Sequence, residues 1–130
     1  MRKAAGLRVV IIEDSVNMQL AMRELLDAHA GFIVVAALRS EQEATEWLLQ
    51  NRSAWDVASI DLMLNDGSGY NILQRCRAYS PIGDVVIFSE YVTDVVRDHC
   101  IKMGAAAAFN KSQIKEYAAH MDRLRDARIP

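Results

Sequence analysis

Short apolar runs that alternate with segments of helical period leave this chain few folds to choose from. The runs are Arg8 to Ile12, Phe32 to Ala37, Val57 to Asp61, Asp84 to Phe88 and Ala105 to Phe109. Their near-continuous hydrophobicity, rich in Val and Ile except in the last, is the pattern of strands covered on both faces, and such strands pair in parallel. Between them lie helical stripes: Met18, Met22, Leu25 and Leu26; Ala44, Trp47 and Leu48; Ile72, Leu73 and Cys76; Val92, Val96, Cys100 and Met103; and Ile114, Tyr117, Ala118, Met121 and Leu124. Ser40 with Glu43 has the spacing of a capping box, Thr93 and Ser112 are expected N-caps, and Gly31 and Gly104 stand where helices should end. Five β–α units with right-handed crossovers predict a doubly wound, five-stranded parallel sheet with five helices, a three-layer α/β sandwich.

The ends of the runs carry the chemistry. Glu13 and Asp14 follow Val9 to Ile12, Asp61 follows Val57 to Ile60, Ser89 follows Val85 to Phe88, and Lys111 comes soon after Phe109. Open parallel sheets bind ligands beyond the carboxyl ends of their strands, so these side chains are expected on one edge. Three carboxylates gathered there need more positive charge than Lys111 supplies. A divalent cation with oxygen ligands completes the set. The segment Asp61-Leu62-Met63-Leu64-Asn65-Asp66-Gly67-Ser68-Gly69 is rich in Asp, Gly and Ser, which lets the backbone turn sharply and present carbonyls to a cation.

Composition narrows the alternatives. With 15 basic against 17 acidic side chains the net charge is -2, without the basic excess of a nucleic-acid-binding face. Arg123, Arg125 and Arg128 near the C-terminus alternate with Asp122 and Asp126, as on a solvated helix. Cys76 and Cys100 lack close spacing and fall on helical stripes, which predicts small reduced core residues. The positively charged start, Met1 to Gly6, is followed by an apolar stretch that Arg8, Glu13 and Asp14 cut short, so neither a secretory leader nor a membrane span is expected and a cytoplasmic location follows. At 130 residues the expectation is a single domain, 1–130, with no output domain. His29, His99 and His120 share no ligand spacing and are expected at helix surfaces or ends, outside the metal site. Trp47 and Tyr117 are expected to pack, and Trp55, ahead of the third strand, to serve as a fluorescence reporter.

On these residues the chain resembles the receiver domain of two-component response regulators, over essentially its whole length, and hence the flavodoxin-like fold. The resemblance implies that Asp61 is the phosphoacceptor and that Glu13, Asp14, Asp61 and the backbone carbonyl of Met63 hold Mg²⁺. It also implies that Ser89 donates to a phosphoryl oxygen and that Lys111 holds another. It further implies a histidine kinase or histidine phosphotransfer protein as donor and an unknown output protein bound through the fourth helix, fifth strand and fifth helix. Neither nucleic acid nor membrane is implied as a direct partner, and a phosphorylation-dependent dimer is compatible with it. The metal and Lys111 are needed because an anionic carboxylate attacks an anionic phosphoryl group.

Four positions depart from the family pattern. Asn65 and Ser112 stand where proline is usual, Ala108 where an aromatic commonly couples to phosphorylation, and Glu90 where a small residue follows the hydroxyl. Strand alternation turns Phe109 away from the face of Ala108, and the Lys111–Ser112 bond is expected to be trans. Three other classes compete, and one of them, a flavodoxin-like nucleotide carrier, needs a hydroxyl- and Gly-rich phosphate loop after the first strand, where Glu13 and Asp14 would repel phosphate. A phosphatase of the haloacid-dehalogenase type needs a carboxylate two residues after its nucleophile, where Met63 stands. A pseudo-receiver, an interaction module without phosphorylation, is opposed by the complete acceptor set.

Overall fold

The computed structural model describes residues 6–128. The charged segment Met1 to Ala5 and the side chain of Arg128 lie outside the described residues. Ten elements alternate along the chain: β1 (Leu7–Ile12), α1 (Val16–Ala28), β2 (Phe32–Leu38), α2 (Glu41–Gln50), β3 (Val57–Ile60), α3 (Gly69–Tyr79), β4 (Asp84–Ser89), α4 (Asp94–Lys102), β5 (Ala107–Asn110) and α5 (Ile114–Arg128). The strands form one parallel sheet in the order β2-β1-β3-β4-β5. This is the doubly wound α/β sandwich that the alternation predicted.

Period-two side-chain direction divides the sheet between two cores. Val10, Ile12, Ala58, Ile60, Val85, Ile87 and Ala108 face Ala44 and Leu48 of α2, Ile72, Leu73 and Cys76 of α3, and Cys100 of α4. On the other face Val9, Ile11, Val57, Val86 and Phe88 meet Met22 and Leu26 of α1 with Tyr117 and Met121 of α5. Each Val, Ile or Leu so buried contributes roughly 1.5–3 kcal/mol of transfer free energy. Cys76 and Cys100 are unbridged and buried, as the stripes predicted, and burial pushes the Cys76 thiol up to about 12.

Local departures have local causes. Ser40 caps α2 by accepting from the Glu43 N–H at 3.1 Å, but Glu43 Oε1 returns to the Arg39 N–H at 3.2 Å, one residue further back than a capping box requires. Thr93 caps α4 through Oγ1, whereas Ser112 caps nothing: its N–H donates to Asn110 Oδ1 and α5 begins two residues later. Ile114, assigned to the apolar stripe of that helix, is 41% exposed because it occupies the first turn, beyond the sheet edge. Gly31 and Gly104 follow helix ends with φ of 95° and 107°. No cis peptide occurs among the described residues, so the Lys111–Ser112 bond is trans. Trp55 packs on Gly83 at the amino-terminal end of β3, the opposite edge from Asp61, and is therefore a poor reporter of events there.

Candidate phosphoacceptor and cation site

Register brings the strand ends into rows. Ile12, Ile60 and Ile87 are direct neighbours across β1, β3 and β4, so Glu13 and Asp61, each one residue further on, emerge side by side. The Asp61 N–H still bonds the Ile12 carbonyl at 3.0 Å. On the other side Ser89 pairs with Asn110, and the Lys111 N–H bonds the Ser89 carbonyl at 3.1 Å. One edge thus collects Glu13, Asp14, Asp61, Ser89 and Lys111 from four strand ends.

Their side chains are closely paired. Lys111 Nζ donates to Glu13 Oε1 at 2.6 Å and to Asp61 Oδ2 at 3.0 Å. Ser89 Oγ donates to Asp61 Oδ1 at 2.7 Å, and the Met63 N–H reaches the same oxygen at 3.2 Å. Glu13 Oε2 accepts from the Ser15 N–H at 3.0 Å, and Asp14 Oδ2 from the Asn65 N–H at 2.7 Å. Glu13, Asp61 and Ser89 are 2%, 7% and 0% exposed, a depth at which unpaired charge is prohibitively costly and which explains why every donor is used. Burial raises the Glu13 carboxyl above its ordinary range, against the hydrogen bond from Lys111. Burial pulls the Lys111 ammonium down, but its bonds to Glu13 and Asp61 more than reverse this and keep it charged.

Three carboxylates against one ammonium leave the edge negative. One oxygen from each of Glu13, Asp14 and Asp61 lies within 4.8 Å of the others. Hard oxygen donors at this spacing suit a small divalent cation such as Mg²⁺, so the residues present fit the metal. A cavity of about 340 Å³ opens over them, lined also by Ser15, Met63, Leu64, Asn65, Glu90 and Tyr91. Ser89 lies beneath that cavity, where its hydroxyl is engaged with Asp61.

The loop after β3 is shaped by two glycines. A Cβ on Gly69 would fall 2.2 Å from the Asp61 carbonyl oxygen, so only glycine lets α3 start against the acidic strand end. Gly67 has φ of 110° and packs on Glu41. Beneath the site, Tyr117 stacks on Phe88 at 4.2 Å between ring centroids and its hydroxyl donates to Ser59, two residues before Asp61. Ala108 and Phe109 face opposite cores, and Phe109 lies edge-on to Tyr117.

Some of the surroundings escaped the sequence reading. Ser15, directly after the acidic pair, caps α1 through its side chain while its N–H serves Glu13. Asn110 Nδ2 donates to the carbonyls of Glu90 and Val92, tying the β4–α4 loop to β5. Tyr91, 58% exposed, borders the cavity; its spacing of two after Ser89 is the only hint the sequence carries. The histidines stay out of the site, but only His99 is well exposed. His29 pairs with Asp122, and His120 lies half-buried against Phe109. Met63, where a phosphatase would need its acid, is 56% exposed and carries no titratable group.

No curated protein matches the sequence. Solved structures of the same fold include a two-component response regulator of the LuxR family from Aurantimonas sp. SI85-9A1, with 19% identity and a TM-score of 0.83 over 95% of this chain and 88% of that one. The response regulator domain of Thermotoga maritima CheB is similar at 19% identity and a TM-score of 0.80, covering 94% and 96% of the two chains. A chain of the CheX–CheY–BeF₃–Mg²⁺ complex from Borrelia burgdorferi is similar at 15% identity and a TM-score of 0.79, covering 91% and 90%. At these identities the likeness establishes the fold alone. The family follows from the sequence itself: residues 9–121 match the response regulator receiver domain, and the chain belongs to that family.

Proposed function

We propose that this receiver domain is a phosphoacceptor switch of a two-component or phosphorelay system in which Asp61 takes a phosphoryl group from a phosphohistidine. The observation that carries the reading is the setting of Asp61, whose carboxylate meets Lys111 Nζ, Ser89 Oγ and the Met63 N–H within 3.2 Å, beside Glu13 and Asp14. In the transfer an Asp61 oxygen forms a bond to phosphorus as the P–N bond to the donor imidazole breaks. The bonding pair returns to the imidazole nitrogen. Lys111 moves from the Asp61 carboxylate to a phosphoryl oxygen, and the Ser89 hydroxyl, freed from Asp61, donates to another. Glu13, Asp14, Asp61 and the Met63 carbonyl would hold Mg²⁺, which when bound offsets the repulsion between two anions.

Receiver domains are generally non-catalytic signalling domains, and the domain here would assist only its own phosphorylation and dephosphorylation. The donor is a histidine kinase or a histidine phosphotransfer protein. Output passes to a partner protein over α4, β5 and α5, where Val95 of α4 is 79% exposed and Tyr91, on the loop that leads into α4, is 58% exposed, both offering apolar contact. No helix among the described residues is long and apolar enough to cross a membrane.

Incubation with acetyl phosphate and Mg²⁺ tests the reading, the phosphoryl group passing from acetate oxygen to Asp61. Intact-mass spectrometry should show one added phosphoryl group in the parent chain and none in Asp61→Asn. Equal incorporation in both proteins would overturn the assignment.

A further inference from the structure

Asp14 is the least buried member of the acidic cluster and the only one without a cationic partner: Lys111 engages Glu13 and Asp61, and no ion pair falls on Asp14 among the described residues. A partly exposed carboxylate has rotamers to lose before it can hold a cation. What restrains it is one main-chain donor, the Asn65 N–H, 2.7 Å from Oδ2. That distance is typical of a hydrogen bond to a charged acceptor. With Oδ2 occupied, Oδ1 is left without a protein donor among the described residues.

The donor is itself held in place. The Glu41 N–H donates to the Asp66 carbonyl at 3.0 Å, and Glu41 Oε1 accepts from the Ser68 N–H at 2.9 Å and from Asn71 Nδ2 at 3.2 Å. These bonds hold the Glu41 carboxyl below its ordinary range, the Ser68 N–H first among them. Gly67 sits directly on Glu41, with no room for a Cβ between them. From the other side, Arg39 Nε donates to the Asp14 carbonyl at 3.0 Å. The loop is fastened to the start of α2, and its residue 65 is fastened to Asp14.

We propose that the backbone N–H of Asn65 is a positioning group that fixes the Asp14 carboxylate for cation binding, so that Mg²⁺ affinity depends on the β3–α3 loop being docked on α2. The proposal rests on the reading of the acidic cluster as the metal site. Hydrogen-bond partners of metal ligands typically account for 10–100-fold in affinity, and solvent access at Asp14 places this one near the lower figure.

The test exploits the fact that proline alone among substitutions deletes the main-chain donor. Asn65→Ala and Asn65→Pro both lose the side chain, and only the second loses the N–H. Titration of Mg²⁺ into the full chain, followed by amide chemical shifts and calorimetry, should show the proline variant binding about tenfold more weakly than the alanine variant. In an Asp14→Ala background the two variants should bind alike, because the donor then has nothing to position. A readout free of metal is hydrogen exchange at the Asn65 amide, which should speed up in Asp14→Ala.

Equal Mg²⁺ affinity of the Ala and Pro variants would overturn the inference, as would a proline penalty that persists in the Asp14→Ala background, since that would mark a merely structural effect. Either result alongside normal phosphorylation of Asp61 leaves the proposed function standing. A parent chain that takes up phosphoryl groups with no Mg²⁺ requirement would overturn the metal site and the inference together.

Discussion

The two loops that border the site are held in opposite ways. The β3–α3 loop is bonded to α2 through Glu41, to the β1 end through Asp14 and to its own strand end through the Gly69 N–H on the Leu62 carbonyl. By contrast, the β4–α4 loop is tied to β5 through one side chain, Asn110, whose amide reaches Glu90 and Val92, and to the core through the buried Val92, while Tyr91 and the Glu90 side chain lie open to solvent. The acidic side of the cavity is therefore built on backbone bonded at three places, and the hydroxyl side on backbone held by the Asn110 amide and the buried Val92. In the proposed transfer Ser89 would give up Asp61 to meet a phosphoryl oxygen, and the loop with fewer fastenings is the one placed to follow it.

Breaking the firmer loop should have the largest effect. Gly67→Ala places a Cβ at positive φ and 2.2 Å from the Glu41 Cβ, a strain of about 2–3 kcal/mol read by urea unfolding. A cost below about 0.5 kcal/mol would mean that the loop yields easily and that the contrast is false. Asn110→Ala should cost less, about 1–2 kcal/mol for its partly solvated bonds, and should raise amide exchange over residues 90–92 while leaving residues 65–68 protected. Faster exchange in both loops would show them coupled rather than independent.

The smallest expected effect comes from pH. Asn110 follows Phe109, and Phe109 rests on His120 and Tyr117 of α5. Burial, and then the charge of Arg123 on the same helix, lower the His120 pKa below 6.5; Asp84 at the start of β4 opposes them. In the window below 6.5 the unfolded chain therefore binds more protons than the folded one, so stability rises with pH there. The contribution is complete above about 6.5 and is lost as the pH falls, and His120→Gln should flatten that limb of the unfolding curve. Acid should loosen β5 and the loop it carries before the β3–α3 loop, which hydrogen exchange at pH 5.5 and 7.5 would show. A pH profile unchanged by the substitution would remove His120 from this support.

Much of the architecture was legible because burial on both faces forces a recognisable pattern. Val57 to Ile60 and Val85 to Phe88 could only be covered strands, and Ile72, Leu73 and Cys76 could only face a sheet. Apart from the half-buried His120 in the middle of α5, errors fell at element ends, where the periodic signal stops. Ile114 fits the stripe of α5 in spacing but not in place, and Ser112 has the right residue type for a cap but sits where Asn110 claims its N–H.

The site divides along the same line. Glu13, Asp14, Asp61, Ser89 and Lys111 could be grouped from the sequence by itself, because parallel strands must bring their carboxyl ends to one edge and each of these residues closes an apolar run. Which atoms meet was decided only by the tertiary structure. Ser15 and Asn65 act through main-chain N–H groups that every non-proline residue possesses, so no residue type announces them. Asn110 and Glu41 act across 18 to 30 positions of chain, a distance set by the packing of loops against α2 and β5 rather than by any local pattern. Side-chain chemistry is written in the sequence, whereas the direction of a backbone hydrogen bond exists only once the chain has closed around it.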